Sequence, residues 1–176
     1  MERPQSGISF KLMSLFLKVR DLFKPRGRVL KETGIQRGDT VLDFGCGPGG
    51  YIRPLAKMVG PSGKIYALDM NPQAVRMVKS FADKNHLANI ETIVSDGKTG
   101  LSDGSMDYVL LFDVLHHLSR PETVLAEFHR ILKPDGILAM SDHHMEDEAI
   151  KKIIGGSGYF KLRTRDKNAF LFSKIG

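Results

Sequence analysis

Between Thr40 and Gly50 the chain reads TVLDFGCGPGG, an aspartate followed by four glycines within six positions, 45–50. Gly45, Gly47, Gly49 and Gly50 remove side chains from a turn, so its backbone can bend tightly and approach a ligand closely. Thr40, Val41 and Leu42 before it are the apolar, β-branched run of a strand covered on both faces, with Asp43 at its carboxyl end. Tyr51 to Val59 has the composition and spacing of a helix that starts at the turn. A strand, a glycine turn and a helix in that order make a nucleotide-type site. Asp69, about 20 residues further on, stands at the end of a second strand, where a carboxylate accepts ribose hydroxyls. Gly45, Gly47 and Gly50 also satisfy the dinucleotide spacing, so the turn alone admits a nicotinamide cofactor. Two features differ from that pattern: Asp43, two positions before the first glycine, and a second acidic–glycine pair, Asp96-Gly97, after the third strand.

Histidines supply a second set of reactive groups. His116 and His117 follow a fourth strand, and Asp142, His143 and His144 follow a fifth. An imidazole titrates near neutral pH and can act as a general base. Histidine with carboxylate also suits zinc or iron. Adjacent histidines in an extended segment point to opposite faces, however, so two ligands from one pair are awkward and no metal is expected. Cys46 lies inside the glycine turn, where its backbone matters more than its thiol, and it takes no nucleophilic role.

The elements that must position these groups follow from periodicity and turn signals. Strands are expected at 40–44, 64–68, 90–94, 106–112 and 137–140, the last fed by the turn Lys133-Pro134-Asp135-Gly136. Helices are expected over 26–33, 51–59, 72–85, 121–132 and 145–154, and Asn71-Pro72 supplies an N-cap and a first-turn proline. Two final strands, 159–163 and 169–173, are joined by a polar turn. A hairpin is antiparallel, so a mostly parallel sheet with one antiparallel edge strand is expected.

Ile8 to Phe23 is apolar on most of its circumference, with Lys11, Ser14, Lys18 and Asp21 confined to one narrow stripe. Such a helix must bury more than one face. It can pack across the domain or against a second copy, cover an apolar substrate, or lie on a membrane surface. With 176 residues the chain has room for one α/β domain and hardly for two. Its net charge of +6 comes from scattered residues, so composition gives little support to nucleic-acid binding. The single cysteine excludes an internal disulfide and fits a reducing compartment. No run approaches the roughly 20 apolar residues of a membrane span, and no signal peptide is seen. A cytoplasmic protein is expected.

Four motifs in order make a resemblance specific. VLDFGCGPGG resembles the first motif of the class I S-adenosylmethionine-dependent methyltransferases, and ALDMNPQAV resembles their second-strand motif. DYVLLFDVLHHL and RILKPDGILAM resemble the fourth- and fifth-strand motifs, so the likeness covers roughly Arg37 to Asp142. In style the chain is similar to the small-molecule ubiquinone and menaquinone C-methyltransferases. The resemblance implies an α/β fold: a Rossmann-like, seven-stranded, mostly parallel sheet with an antiparallel last strand and helices on both faces. It implies one domain, with 1–34 as a helical lid or interface segment and 35–176 as the cofactor-binding core.

The same resemblance implies S-adenosylmethionine as cofactor, with S-adenosylhomocysteine as product. Gly45, Cys46 and Gly47 would admit its amino-acid part, with Asp43 near the ammonium or holding the loop. Asp69 would accept the ribose hydroxyls, Met70 would pack on adenine, and Asp96 and Gly97 would border it. Phe112 and Asp113 would lie beside the sulfonium. In that fold the fourth and fifth strands are neighbours, so His116, His117 and His143 could converge as candidate bases, although a structural role for the first pair stays open. The expected partner is a small, hydrophobic methyl acceptor, with homodimerisation or membrane-surface contact through the N-terminal helix. Rival readings are a cofactor-binding subunit that needs a partner for turnover, an RNA or protein methyltransferase, and a nicotinamide dehydrogenase. No N-P-P-Y-like motif for a flipped base occurs, and few aromatics are available for stacking.

Overall fold

The computed structural model describes residues 27–176. The apolar segment Ile8–Phe23, with its lid, dimer and membrane-surface readings, lies outside the described residues. Along the described chain the elements are α1 (Gly27–Glu32), β1 (Thr40–Phe44), α2 (Ile52–Val59), β2 (Lys64–Asp69), α3 (Pro72–Lys84), β3 (Ile90–Val94) and β4 (Met106–Phe112). A 3-10 turn (Leu115–His117), α4 (Pro121–Ile131), β5 (Leu132–Ser141), α5 (Asp147–Gly155), β6 (Phe160–Arg165) and β7 (Phe170–Lys174) follow. Asn71 caps α3 as its sequence suggests: its side chain accepts the Gln73 N–H at 2.9 Å.

The seven strands form one sheet in the order β3-β2-β1-β4-β5-β7-β6. β1 pairs in parallel with both β2 and β4, and β2–β3 and β4–β5 are also parallel. β7 runs antiparallel to β5 and to β6. The antiparallel strand is therefore not the edge strand that its hairpin suggests. β7 inserts between β5 and β6, and β6 takes the edge. Side-chain chemistry accounts for this order. Phe170 and Phe172 of β7 are buried, whereas β6 is exposed at every position after Phe160 and carries Lys161, Arg163 and Arg165. A charged edge strand also resists pairing with another chain.

The turn Lys133-Pro134-Asp135-Gly136 does not precede the fifth strand but interrupts it. Met106 pairs with Leu132 and Tyr108 with Ile137, so Asp107 alone faces the whole turn. The bulge is braced by that residue. Asp107 accepts the Thr40 N–H at 2.9 Å and binds Lys133 Nζ at 2.7 Å.

Alternation along the central strands sends side chains to two cores. Leu42, Phe44, Val109 and Leu111 pack with Val124, Leu125 and Phe128 of α4 and Ile150 and Ile154 of α5. Val41, Ile65, Ala67 and Leu110 pack on the other face with α1, with Ile52, Leu55 and Val59 of α2, and with Val78 of α3. Strands covered on both faces are what a mostly parallel sheet requires. The carboxyl ends of β1 to β5 thus emerge between two helical layers, where loops and not core residues decide what is present.

Candidate active site

β1 delivers the glycine turn to the carboxyl edge of the sheet, and β2 holds it there. The N–H groups of Gly45 and Cys46 both donate to Leu68 O, at 2.8 and 2.9 Å. Gly45 has φ +73° and Gly47 φ +51°, conformations that L side chains rarely adopt. A Cβ added at Gly45 would stand 2.5 Å from Val114 Cγ2, so the loop after β4 packs directly on the turn. A Cβ added at Gly47 would meet nothing within 4 Å, so that part of the turn faces open space.

Asp69 joins the turn to the next helix. Its Oδ2 accepts the Gly47 N–H and its Oδ1 accepts the Asn71 N–H, each at 2.8 Å. A carboxylate offers about four acceptor sites, so both oxygens keep capacity for a ligand's hydroxyls. Met70 beside it is 58% exposed, and Val94, which pairs in register with Asp69, is 54% exposed. Two large apolar side chains left in solvent at adjacent strand ends form a rim that an apolar ring would cover. Asp96 is exposed beyond β3, and Gly97 beside it has φ +144°.

The segment beyond Gly97 is tied down by a network that sequence reasoning missed. Glu127 of α4 accepts both the N–H and the hydroxyl of Thr99, and Arg130 grips the same carboxylate through Nε and Nη2 at 2.8 Å each. The Arg130 hydrogen bonds hold the Glu127 carboxyl down to about 2 against the opposing effect of burial. The i to i+3 spacing of Glu127 and Arg130 on a helix is a signal that could have found the pair. Its link to Thr99 depends on the fold.

Asp43 is buried at the end of β1, and Cys46 is buried in the turn. Burial pushes the Cys46 thiol far up, and the Asp43 and Asp69 carboxylates add to the effect. The thiolate, which is the nucleophile, is therefore suppressed. Phe112 is also buried, its ring against that of Tyr51 with centroids 5.0 Å apart.

Beyond β4 and β5 two loops exchange carboxylates and histidines. Asp113, at the end of β4, holds the His143 ring through Nδ1 and accepts the His143 N–H at 3.1 Å. It does so from a left-handed backbone, φ +56°, that non-glycine residues seldom adopt. In return Asp142, at the end of β5, lies 2.8 and 2.9 Å from His116 Nδ1 through its two oxygens. It also accepts the N–H groups of His144 at 3.0 Å and His116 at 3.3 Å. Burial opposes the Asp142 charge, but the His116 side chain and these N–H donors outweigh it and hold the carboxyl below its ordinary value. The rings of His117 and His144 flank His116, with centroids 3.9 and 4.5 Å away.

The structure thus brings His116 and His117 together with His144, joins His143 to Asp113 on the loop after β4, and gives Asp142, which the sequence offered only as a metal-ligand candidate, the role of partner to His116. A signal for Asp142 was present. Asp43, Asp69, Asp96, Asp113 and Asp142 all fall at or just after the carboxyl ends of β1 to β5 in turn. Among the described residues no group of three or more His, Cys, Asp or Glu is placed to hold a metal ion. A depression of about 410 Å³, lined by Asp39, Asp107, Lys133 and Arg163, lies at the amino ends of the strands, away from all of these groups.

Comparison with known proteins bears on these observations. Residues 35–167 match the methyltransferase domain family. A crystal structure of an S-adenosylmethionine-dependent methyltransferase from Aquifex aeolicus superposes with a TM-score of 0.73 at 31% identity, covering 84% of this chain and 87% of that one. The demethylmenaquinone methyltransferase of Geobacillus stearothermophilus is 32% identical over 126 residues, which are 71% of this chain and 54% of the relative. The sterol 24-C-methyltransferase of Saccharomyces cerevisiae is 32% identical over 119 residues, 66% of this chain and 30% of the relative. Against such curated relatives the chain spans from 30% to 57% of their length. Among the described residues no helix is long and apolar enough to cross a membrane.

Proposed function

The chain belongs to the S-adenosylmethionine-dependent methyltransferases, and from that premise we propose that it transfers a methyl group to a small, hydrophobic acceptor in the cytoplasm. The single observation that carries the reading is the cradle formed by Gly45, Gly47 and Asp69. It combines a side-chain-free turn open on one side with a carboxylate that keeps acceptor capacity. Those residues fit the group the family uses.

In this reading the turn's backbone receives the amino-acid part, with Asp43 and Cys46 buried beneath it. Asp69 holds the ribose hydroxyls. The exposed Met70 packs on the adenine, Asp96 and Gly97 border its edge, and the loop carrying them is kept in place by the Thr99–Glu127–Arg130 network. Phe112 and Asp113 end the strand nearest the reacting centre, and His116, His117 and His143 line the acceptor side. The sulfonium supplies a methyl group that is already activated. What remains for the protein is to align the acceptor with that methyl and to exclude water. Relatives named for menaquinone and sterol methylation support an apolar acceptor.

Calorimetric titration with S-adenosylhomocysteine, with NAD as control, tests the reading. Micromolar binding of the first and none of the second is expected. A protein that binds NAD instead belongs to the dehydrogenase reading. Residues 1–24 are proposed to serve the acceptor or a second copy of the chain. Deleting them is expected to leave S-adenosylhomocysteine affinity intact while lowering acceptor turnover or dimer content. A truncated protein equal to the full chain in both respects removes that role.

A further inference from the structure

We propose that His116 is the base that takes the acceptor's proton, that Asp142 positions it, and that the acceptor is a weakly acidic hydroxyl compound, a phenol or an enol. The inference rests on the methyl-transfer reading and names its substrate class.

Geometry singles out His116 among the clustered histidines. A carboxylate can only accept hydrogen bonds, so Nδ1 of His116, within 2.9 Å of both Asp142 oxygens, must carry the proton. In the neutral ring Nε2 is then the basic nitrogen, and among the described residues nothing hydrogen-bonds to it. Asp142 is itself held rigidly. Its side chain is fully buried, and N–H groups from two loops donate to it. The His143–Asp113 pair repeats the chemistry under weaker control. The His143 side chain is 55% exposed, against 21% for His116, and Asp113 is more open to solvent than Asp142.

Position supports the role. Val114, two residues before His116, packs against Gly45 of the proposed cofactor turn. The loop that carries His116 therefore packs on the glycine turn at Val114, and the His116 ring is bound to the end of β5 by Asp142. The titratable groups that face it are Asp142 and the flanking rings of His117 and His144.

The chemistry of a histidine base selects the acceptor. A neutral amine already presents its lone pair and can shed a proton after attack. A thiol, with an ordinary pKa near 8.5, is already a few per cent ionised at pH 7, and its thiolate is a strong enough nucleophile to need no base. A phenolic or enolic hydroxyl near pKa 10 is scarcely ionised at neutral pH, so it gains most from proton removal during attack. The hydroxyl proton passes to Nε2 of His116. The oxygen's electron pair forms the new bond to the methyl carbon, while the broken C–S bond's pair stays on sulfur. Asp142 neutralises the imidazolium, which afterwards returns its proton to water.

Two readouts test this separately from cofactor binding. Ring nitrogen NMR needs no acceptor: His116 is expected as the Nδ1–H tautomer in the native protein and as a mixture of tautomers in Asp142→Asn. A native Nε2–H tautomer, or an unchanged one in the variant, overturns the positioning role. For turnover, the matched probes are 2-naphthol, 2-naphthylamine and 2-naphthalenethiol, each with S-adenosylmethionine. Methyl transfer to the naphthol is expected, with kcat falling roughly 10²–10⁴-fold in His116→Gln and S-adenosylhomocysteine affinity unchanged. Added imidazole is expected to restore part of the rate in His116→Gly, which a merely structural histidine would not allow. Transfer only to the amine or thiol, transfer to none of the three, or full activity in His116→Gln overturns the proposal. Loss of S-adenosylhomocysteine binding by the unaltered protein would instead defeat the methyl-transfer reading, and the tautomer result would stand apart from it.

Discussion

The two ends of the parallel strands carry similar residue types and use them differently. At the amino end, Asp107 accepts the Thr40 N–H and binds Lys133, and Asp39 accepts the Gln36 N–H at 2.7 Å. These carboxylates close turns and brace a bulge. At the carboxyl end, Asp69, Asp113 and Asp142 also accept backbone N–H groups, but each joins two different loops or orients an imidazole. A depression of about 410 Å³ lies at the amino end, yet the left-handed Asp113, the open glycine turn and the basic imidazole nitrogens lie at the other. A surface depression by itself is a poor guide here. Convergence of polar groups from several loops is the better one, because only there does backbone geometry serve something other than closing the fold.

That contrast can be broken by substitution at either end. Gly45→Ala combines a φ that L side chains rarely adopt with a clash against Val114. It is expected to cost about 2–4 kcal/mol of stability in urea unfolding and to abolish S-adenosylhomocysteine binding. Asp107→Ala is expected to cost about 1–3 kcal/mol, since it leaves the Thr40 N–H unsatisfied and Lys133 unpaired. Calorimetry should nevertheless find cofactor affinity unchanged; a weakened affinity would erase the distinction between the two ends. Asp69→Ala should do the reverse, lowering affinity at least tenfold, or about 1.4 kcal/mol. Unchanged affinity there would remove Asp69 from the proposed site.

Smaller effects sharpen the picture. The Glu127 carboxyl is depressed to about 2 from an ordinary value of 4.5, so its contribution to stability is complete above that ordinary value. It is lost as pH falls toward the folded-state value. Urea unfolding of native protein and Glu127→Gln should therefore differ at neutral pH and converge as the solution is acidified through that interval. Smallest of all, the buried Cys46 thiol should resist iodoacetamide in the folded protein and react once urea unfolds it.

Much of this molecule was legible before any coordinates. Glycine spacing, the Asn71-Pro72 cap and the apolar strands are local signals, each carried by residues close together in the chain. The segments that misled were those whose place depends on a partner. Lys133 to Gly136 has the composition of a turn, but its pairing as a bulge depends on Asp107, 26 residues earlier. β7 belongs to an evident hairpin, but its seat beside β5 was decided by Phe170 and Phe172 filling the core that the charged β6 could not. The histidines divide in the same way. Sequence alone established that basic and acidic groups follow the fourth and fifth strands. Only the tertiary structure decided that Asp142 serves His116 while Asp113 serves His143, because a hydrogen bond between two loops exists only once the parallel register of β4 and β5 brings their ends side by side.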